Sequence, residues 1–189
     1  GSELGGTVVT LSGVLFSDSK DVGCRFGNHG TVPAHLVTEG SLECSAPPGI
    51  PGDVLVSLTP NGADFSEVED IGSALFSFLK EPQVTGVSPA VGPVQGGTQM
   101  TITGTNFISS NFLACRFNLI TVPGRYLSSD AIECTSPGNQ QGPVLAEVTL
   151  NGQDFFSSND VVFSYSVGIS VDSISPDFGP SRGSTEVTV

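Results

Sequence analysis

Residues 87–93 read VSPAVGP, and residues 174–180 read ISPDFGP. Both copies place a β-branched residue before Ser-Pro and end on Gly-Pro with the same spacing. A pattern that returns at a fixed distance along a chain predicts tandem modules of one fold. We therefore interpret the sequence as an array of repeats and not as a single domain.

The remainder of the repeat can be aligned on six further pairs of stretches, at offsets between 87 and 91 residues. These pairs are Gly6-Thr7 with Gly97-Thr98, Cys24-Arg25-Phe26 with Cys115-Arg116-Phe117, Val32-Pro33 with Val122-Pro123, Glu43-Cys44 with Glu133-Cys134, Asn61-Gly62 with Asn151-Gly152, and Phe76-Ser77-Phe78 with Phe163-Ser164-Tyr165. The alignment predicts a first repeat over residues 1–81, a complete second repeat over residues 82–168 and the opening strands of a third over residues 169–189. Residues 1–4 do not match the VSP stretch, so we expect the first repeat to lack its opening strand.

Composition and local patterns favour β-structure. The chain has 24 Gly and 13 Pro, no Trp, and only 13% charged residues. Residues 54–58 and 144–150 are rich in β-branched residues and bounded by Pro or Gly, and residues 98–104 alternate polar with apolar, as strands do. The Asn-Gly pairs at 61 and 151 are typical of tight hairpin turns. The fold class that follows is all-β, with tandem immunoglobulin-like β-sandwiches in a linear array.

The charge balance excludes one class of partner. Six Lys and Arg stand against 19 Asp and Glu, which gives a net charge of −13. Such a field repels phosphate backbones, so we expect no nucleic-acid partner. The sequence has no apolar run of membrane-spanning length and no signal peptide, and Gly1-Ser2 is typical of a cloning remnant. We expect a membrane-anchored or secreted parent protein.

The chain has four cysteines, two in each repeat at equivalent positions: Cys24, Cys44, Cys115 and Cys134. Three pairings are open, and closure within each repeat is the simplest of them. Reduced, buried cysteines are an alternative. A zinc site is disfavoured, because structural zinc sites use closely spaced cysteine pairs. Disulfides would place the protein in an oxidising, secretory compartment.

The stretch from residue 87 to 107 has the pattern V-S-P-x-x-G-P-x-x-G-G-T-x-x-T-I-x-G-x-N-F and resembles the IPT/TIG module, an immunoglobulin-like sandwich of the early set. Further motifs of the extracellular version follow in order, as CRF at 115–117, VP at 122–123, IECTSP at 132–137 and FSY at 163–165. The second repeat matches along its whole length, and the first matches from Gly5 onward. The resemblance implies a disulfide-containing surface protein, as in plexin-like, hepatocyte-growth-factor-receptor-like, fibrocystin-like and protist or algal proteins. Bacterial enzymes and adhesins and Rel-type transcription factors carry relatives of the module. The paired cysteines favour the extracellular types, and the acidic charge argues against DNA binding.

No catalytic motif accompanies the two histidines, His29 and His35, so we expect no enzyme and no cofactor. Acidic residues follow the Asn-Gly pair in both repeats, and oxygen ligands of this kind suit Ca²⁺. The weak calcium candidates are Asp64, Glu67, Asp70, Asp154 and Asp160. Their spacing matches no EF-hand loop, and a solvated acidic loop is the preferred interpretation.

Arg25 and Arg116 occupy equivalent places beside the first cysteine of each repeat. Alternation along a strand predicts that they point outward while Phe26 and Phe117 point inward. They are candidate interaction residues, and a surface arginine paired with a nearby acid is the plainer alternative.

These observations predict a non-enzymatic extracellular segment that acts as a semi-rigid spacer and as a protein-interaction or adhesion module. The partner would be another surface protein or a second copy of the chain. A second hypothesis is self-assembly into a fibre or coat, in which residues 170–189 donate a strand to another copy and form a homo-oligomer. A third is an accessory domain of a secreted polysaccharide-acting enzyme, which the lack of Trp makes less favourable.

Overall fold

The computed structural model describes residues 1–13, 21–66, 74–158, 160–168 and 172–188. Its regular elements are strands, so the all-β prediction is confirmed. The first repeat contains β1 (Val8–Ser12), β2 (Gly23–Phe26), β3 (Thr31–Thr38), β4 (Ser41–Ser45), β5 (Gly52–Thr59) and β6 (Leu75–Phe78). The second contains β7 (Gln83–Ser88), β8 (Val91–Pro93), β9 (Gln99–Thr105), β10 (Ala114–Phe117), β11 (Ile120–Ser128), β12 (Ala131–Thr135), β13 (Gly142–Thr149), β14 (Phe155–Phe156) and β15 (Val162–Ser166). In the described ranges we find no helix of the length and apolarity that a membrane span requires.

Each repeat is a sandwich in which one long strand belongs to both layers. The first part of β3 pairs with β2 as far as Pro33, and the remainder pairs with β4 from Ala34 onward. One layer is therefore β1-β4-β3 and the other is β3-β2-β5-β6. In the second repeat β11 crosses between layers in the same way after Pro123. Proline cannot donate to a strand ladder, and the crossing point is a place where a ladder is interrupted.

The core of each sandwich is closed by a disulfide between the two layers. Cys24 on β2 bonds Cys44 on β4, and Cys115 on β10 bonds Cys134 on β12, with Cα atoms 6.3 and 6.4 Å apart. The four sulfur-bearing side chains are at most 2% exposed. Around them pack the buried aromatic residues, which are Phe26 and Phe78 in the first repeat and Phe107, Phe117, Phe163 and Tyr165 in the second. Each bridge closes a loop of about twenty residues and is expected to contribute roughly 3 kcal/mol through the unfolded state.

The two repeats differ at their opening strands. In the second repeat β7 lies antiparallel to β9, and β8 lies parallel to β15. In the first repeat no described strand lies outside β1 at the place that β7 occupies beside β9. Residues 1–4 nevertheless hold the place of β8, since Ser2 forms a parallel bridge with Leu79. The expectation of a missing opening strand applies to the β7 position, while the β8 position is filled.

A close contact between Gly and Thr marks the start of every repeat. A Cβ atom on Gly92 would collide with the Thr98 hydroxyl, and the same holds for Gly1 with Thr7 and Gly179 with Thr185. The third copy also pairs Ser175 with Thr188, in the antiparallel register of Ser88 with Thr101 in the second repeat. Residues 172–188 therefore share both of these contacts with the start of the second repeat.

The Asn-Gly turns differ from the expected two-residue hairpins. Gly152 has a positive φ of 76°, whereas Asn151 keeps an ordinary backbone. The connection from β13 to β14 is five residues long, because Thr149 is paired with Phe155. Asn151 acts through its side chain, which accepts hydrogen bonds from the backbone N–H groups of Gln153 and Asp154 at 3.0 and 2.9 Å. Asn-Gly serves here as an Asx-type turn.

Candidate interaction surfaces

The turn that follows β13 orients the side chain of Asp154 in the second repeat. Besides its backbone contacts, Asn151 donates from Nδ2 to Asp154 Oδ2 at 2.7 Å. Thr149 lies beneath the turn, and its hydroxyl accepts the N–H of Gly152 at 2.8 Å. The Asp154 carboxylate is thus held in place by its own turn, independently of its contact with the first repeat.

This turn lies against the start of β1 in the first repeat. The Thr7 hydroxyl donates to Asp154 Oδ2 at 2.7 Å, and Thr7 is only 5% exposed. The amide of Gln153 accepts the N–H of Val8 and donates to the Val8 carbonyl, both at 3.0 Å. A side-chain amide that bonds both backbone groups of one residue satisfies a strand edge as a neighbouring strand would. We call these contacts between Thr7, Val8, Gln153 and Asp154 the joint.

The chain segment between the repeats closes the other side of the joint. The Ser2 hydroxyl donates to the Glu81 carboxylate at 3.3 Å, and Asn106 Nδ2 donates to the Glu81 carbonyl at 2.9 Å. A narrow cleft between the two repeats is lined mainly by apolar groups, among them Leu79, Leu150 and Phe156. The linker is therefore bonded to both repeats and is not a free tether.

Arg116 is fixed on the outer face of the second sandwich by two contacts. Its guanidinium carbon lies 3.7 Å from the centre of the Phe155 ring. It also forms a bidentate pair with Glu147, from Nε to Oε2 at 2.7 Å and from Nη2 to Oε1 at 2.8 Å. The hydrogen bond that Arg116 donates to the Glu147 carboxylate raises the pKa of Arg116. Arg116 is therefore the paired surface arginine of the plainer alternative.

Arg25 keeps the stacking contact without the acid. Its guanidinium lies 3.7 Å from the centre of the Phe65 ring, and the residue opposite it on β5 is Ser57. Within the described residues no carboxylate pairs with it. The next row of the same face carries the cross-strand pair Leu55 and Leu75, which are 38% and 48% exposed. This face combines an oriented cation with exposed apolar side chains.

The three calcium candidates that the structure describes are not grouped into a metal site. Asp154 is used in the joint, Asp64 accepts from Asn61 within its own turn at 2.9 Å, and Asp160 lies exposed on another loop. Glu67 and Asp70 lie outside the described residues. Among the residues that the structure describes, no three His, Cys, Asp or Glu are grouped as metal ligands.

The two histidines have different surroundings. His29 packs edge-on against Phe78, with ring centres 5.0 Å apart. His35 is exposed on β3 opposite Glu43. Neither histidine is placed beside a serine or cysteine nucleophile by any contact of the described residues.

Sequence reasoning did not find Gln153. The first repeat has Ala63 at the equivalent position, so the repeat alignment gives no reason to select it. Asp154 was selected only as a weak calcium candidate, and the structure shows it bonded to Thr7. The usable signal was the Asn-Gly-x-Asp pattern in both repeats, which specifies a turn that presents a carboxylate.

The chain matches the family model described as "IPT/TIG domain" twice, over residues 1–78 and 82–165. Plexin-A3 of Rattus norvegicus is 32% identical over 205 aligned residues, which cover 100% of this chain and 10% of that protein. Fibrocystin-L of Homo sapiens is 30% identical over 196 residues, again over 100% of this chain and 4% of the relative. A solved structure of the full extracellular region of plexin A4 aligns with a TM-score of 0.59 at 20% identity, over 93% of this chain and 15% of that one.

The chain thus corresponds to a small part of much longer relatives, spanning 10% of plexin-A3 and 4% of fibrocystin-L. Its two disulfides and these relatives indicate an extracellular or cell-surface protein. Both family matches begin and end close to the boundaries of the two sandwiches. The chain belongs to the IPT/TIG family.

Proposed function

We propose that this chain is a non-enzymatic extracellular segment that holds its modules at a fixed orientation and offers their outer faces to a protein partner. The observation that carries the proposal is the joint. A flexible tether would leave the edge of β1 and the Asn151–Asp154 turn in water. Here the two surfaces bond each other through three direct hydrogen bonds.

The joint supports stiffness because its Thr7–Asp154 hydrogen bond is partly withdrawn from water. Thr7 is 5% exposed, and Leu150 beneath the turn is 4% exposed. A buried hydroxyl or carboxylate that loses its partner is penalised by about 1–3 kcal/mol, which opposes bending at this point. Short, bonded linkers between modules give a semi-rigid array.

The test is a distance distribution between the two repeats. Spectroscopic labels would be introduced through non-natural residues at Val37 and Leu119, which are exposed positions of the first and second repeat. We expect one narrow distribution in the parent chain and a broad one after Gln153→Ala and Asp154→Ala together. The matched control is Asp64→Ala, which removes the equivalent carboxylate from a turn without a described inter-repeat contact. A broad distribution in the parent chain, or the same width in every variant, would reject the spacer function.

The interaction half of the proposal rests on the outer face around Arg25. A stacked arginine that pairs with no carboxylate among the described residues, beside Leu55 and Leu75, suits a partner surface with a carboxylate and an apolar side chain. The plexin-like relatives make an extracellular protein the natural class of partner. Because arginine anchors contribute strongly when desolvated, Arg25→Ala should weaken capture of such a partner more than Arg116→Ala.

Self-assembly is the second candidate, and one observation favours it. Beyond Val8, whose backbone groups Gln153 bonds, the outer edge of β1 has no strand beside it among the described residues. Residues 174–176 read ISP, which matches the VSP of residues 87–89 at the end of β7. Donation of residues 170–189 to the β1 edge of another copy would give β1 a neighbouring strand and would give residues 170–189 a sandwich to join. The test is the solution mass from light scattering over a concentration series, with and without residues 170–189. A monomer in both cases would reject self-assembly.

A further inference from the structure

We propose that the Asn61–Asp64 turn of the first repeat is a docking surface for the Gly-Thr strand start of an IPT/TIG module that precedes it in the same polypeptide. The inference extends the proposed spacer function. It assigns to the first repeat a second joint of the kind seen between the two repeats.

The Asn61–Asp64 turn is built like the turn that forms the joint. Asn61 Oδ1 accepts the backbone N–H groups of Ala63 and Asp64 at 3.0 and 2.9 Å, the same two distances as in the second repeat. Asn61 Nδ2 donates to Asp64 Oδ2 at 2.9 Å, and Gly62 has a φ of 76°. Both carboxylates are therefore oriented by an equivalent turn.

The two turns differ in what lies beyond them. Asp154 accepts the Thr7 hydroxyl across the joint, whereas the described bonds of the Asp64 side chain stay within its own turn. Asp64 is exposed, and Asp154 is half-buried. The first repeat thus presents the module-contacting half of a joint to solvent.

The complementary half also recurs in the chain. Thr98 and Thr7 make the same backbone hydrogen bond. The Thr98 carbonyl accepts the N–H of Ser136, and the Thr7 carbonyl accepts the N–H of Ala46, both at 2.8 Å. Ser136 and Ala46 each lie two positions after the second cysteine of their repeat. Each threonine packs against its glycine, Gly92 or Gly1. In the described part of the chain the Thr98 hydroxyl has no hydrogen bond, while that of Thr7 is bonded to Asp154. Thr98 is a donor in position for the Asn-Gly-x-Asp turn of a following module.

The partner is therefore defined by chemistry: a threonine hydroxyl at the start of a strand whose first residue has no strand on its outer side. Gln99, which follows Thr98, meets this condition, because the pairing of β7 with β9 ends at Ser88 and Thr101. The relatives contain far more chain than this segment, since it spans 10% of plexin-A3. One difference sets the expected strength. Ala63 replaces Gln153, so a joint made by the first repeat lacks the amide that bonds the strand edge. We expect it to be looser than the joint between the two repeats.

The experiment places the two unengaged halves in one polypeptide. The polypeptide consists of residues 1–178 followed directly by a second copy of residues 1–189. Because Gly179 is equivalent to Gly1, this fusion places the first repeat of the second copy directly after the second repeat of the first copy. Residues 169–178 of the first copy then supply its opening strand. The Asn61–Asp64 turn of the second copy then faces Thr98 of the first copy. Labels at Leu119 of the first copy and Val37 of the second report the distance distribution across this new joint.

We expect a single main distance that is lost on Asp64→Ala in the second copy and on Thr98→Val in the first. Ala63→Gln in the second copy should narrow the distribution, because it supplies the missing amide. In the single chain Asp64→Ala should change neither the distribution across the original joint nor the melting temperature beyond that of an exposed substitution.

Unchanged widths for Asp64→Ala, Thr98→Val and Ala63→Gln would overturn the proposal. If Asp154→Ala still broadened the original joint in the same polypeptide, the spacer function would stand without the second joint. If Asp154→Ala also left the distance distribution across the original joint unchanged, the spacer function and the second joint would both be rejected. Concentration-dependent association of the single chain that Asp64→Ala abolishes would assign the turn to a second copy and would likewise overturn the proposal.

Discussion

Exchange of the residues opposite the two stacked arginines should move the stability of the two repeats in opposite directions. Glu147→Ser gives the second repeat the residue found in the first, and Ser57→Glu gives the first repeat the acid found in the second. Both positions pair directly with the arginine across adjacent strands. The stack on Phe155 or Phe65 is present in either case.

The magnitude follows from the exposure and geometry of the pair. Exposed ion pairs and opposite charges across strands contribute about 0.2–1 kcal/mol. Arg116 and Glu147 are 31% and 18% exposed in their side chains and bond through two contacts, which places them at the upper end of that range. We expect Glu147→Ser to lower the free energy of unfolding of the second repeat by about 1 kcal/mol, equivalent to about 4–8 °C in melting temperature for a small module. Ser57→Glu should stabilise the first repeat by about 0.5 kcal/mol, less because it adds a negative charge to an acidic chain.

The assay can separate the repeats. The two tyrosines, Tyr126 and Tyr165, are both in the second repeat, so tyrosine fluorescence during denaturant unfolding reports that repeat. Hydrogen exchange of the β5 amides, followed by mass spectrometry, reports the first. Glu39→Ser is the control for the loss of one exposed negative charge. About 1 M salt, which shortens the screening length to about 3 Å, should reduce both effects.

The reasoning would be refuted by a Glu147→Ser variant no less stable than Glu39→Ser. It would also be refuted by a Ser57→Glu variant that is less stable than the parent. Either result would mean that the stacked arginine gains nothing from a carboxylate at the opposite position.

Four further predictions concern the second repeat. Tyr165→Phe should be neutral or stabilising by up to about 1 kcal/mol in urea unfolding, because the buried hydroxyl makes no hydrogen bond of normal geometry and Phe78 fills the equivalent place; a clear loss of stability would contradict this. Burial raises the pKa of Tyr165, an effect that Asn139 and Ser136 only partly offset, so the parent should lose stability as the pH rises above the ordinary tyrosine value and Tyr165→Phe should lose less. Cys115→Ala with Cys134→Ala should lower the free energy of unfolding by about 3 kcal/mol, measured by fluorescence under non-reducing conditions, and an equal midpoint for both proteins would count against the bridge. Hydrogen bonds to Glu133, first from Gln99 and second from Arg125, lower the pKa of Glu133. The stabilising contribution of Glu133 should therefore be complete above the ordinary glutamate pKa and should vanish as the pH falls through the lowered pKa. NMR titration should show a higher Glu133 pKa in Arg125→Ala than in the parent.

Much of the fold follows from patterns that are local or periodic. The twice-written VSP stretch gave the modular organisation, and alternation on β9 gave its buried and exposed faces. The sandwich class required no long-range information, because short strands separated by Gly and Pro have few other ways to bury one face. Closure within each repeat was the simplest of the three cysteine pairings that their equal placement left open.

The candidate surfaces were less predictable because they depend on contacts between distant residues. Arg25 and Arg116 were selected together, yet only the residue across the neighbouring strand distinguishes a paired arginine from an oriented cation. Ser57 and Glu147 lie more than thirty positions away in sequence, and their register is set by the whole sheet. The same limitation led to Asp154 being read as a calcium candidate.

The amino-acid sequence by itself determined the number and kind of modules and the positions of the turns that carry Asp64 and Asp154, and it favoured closure of the cysteines within each repeat, since each of these rests on residue type and short spacing. Only the tertiary structure decided that one of these turns is engaged. Thr7 and Asp154 are 147 positions apart, and their hydrogen bond exists because two separately folded sandwiches meet through a short bonded linker. A contact between folded surfaces depends on the orientation of whole modules, which no local pattern encodes.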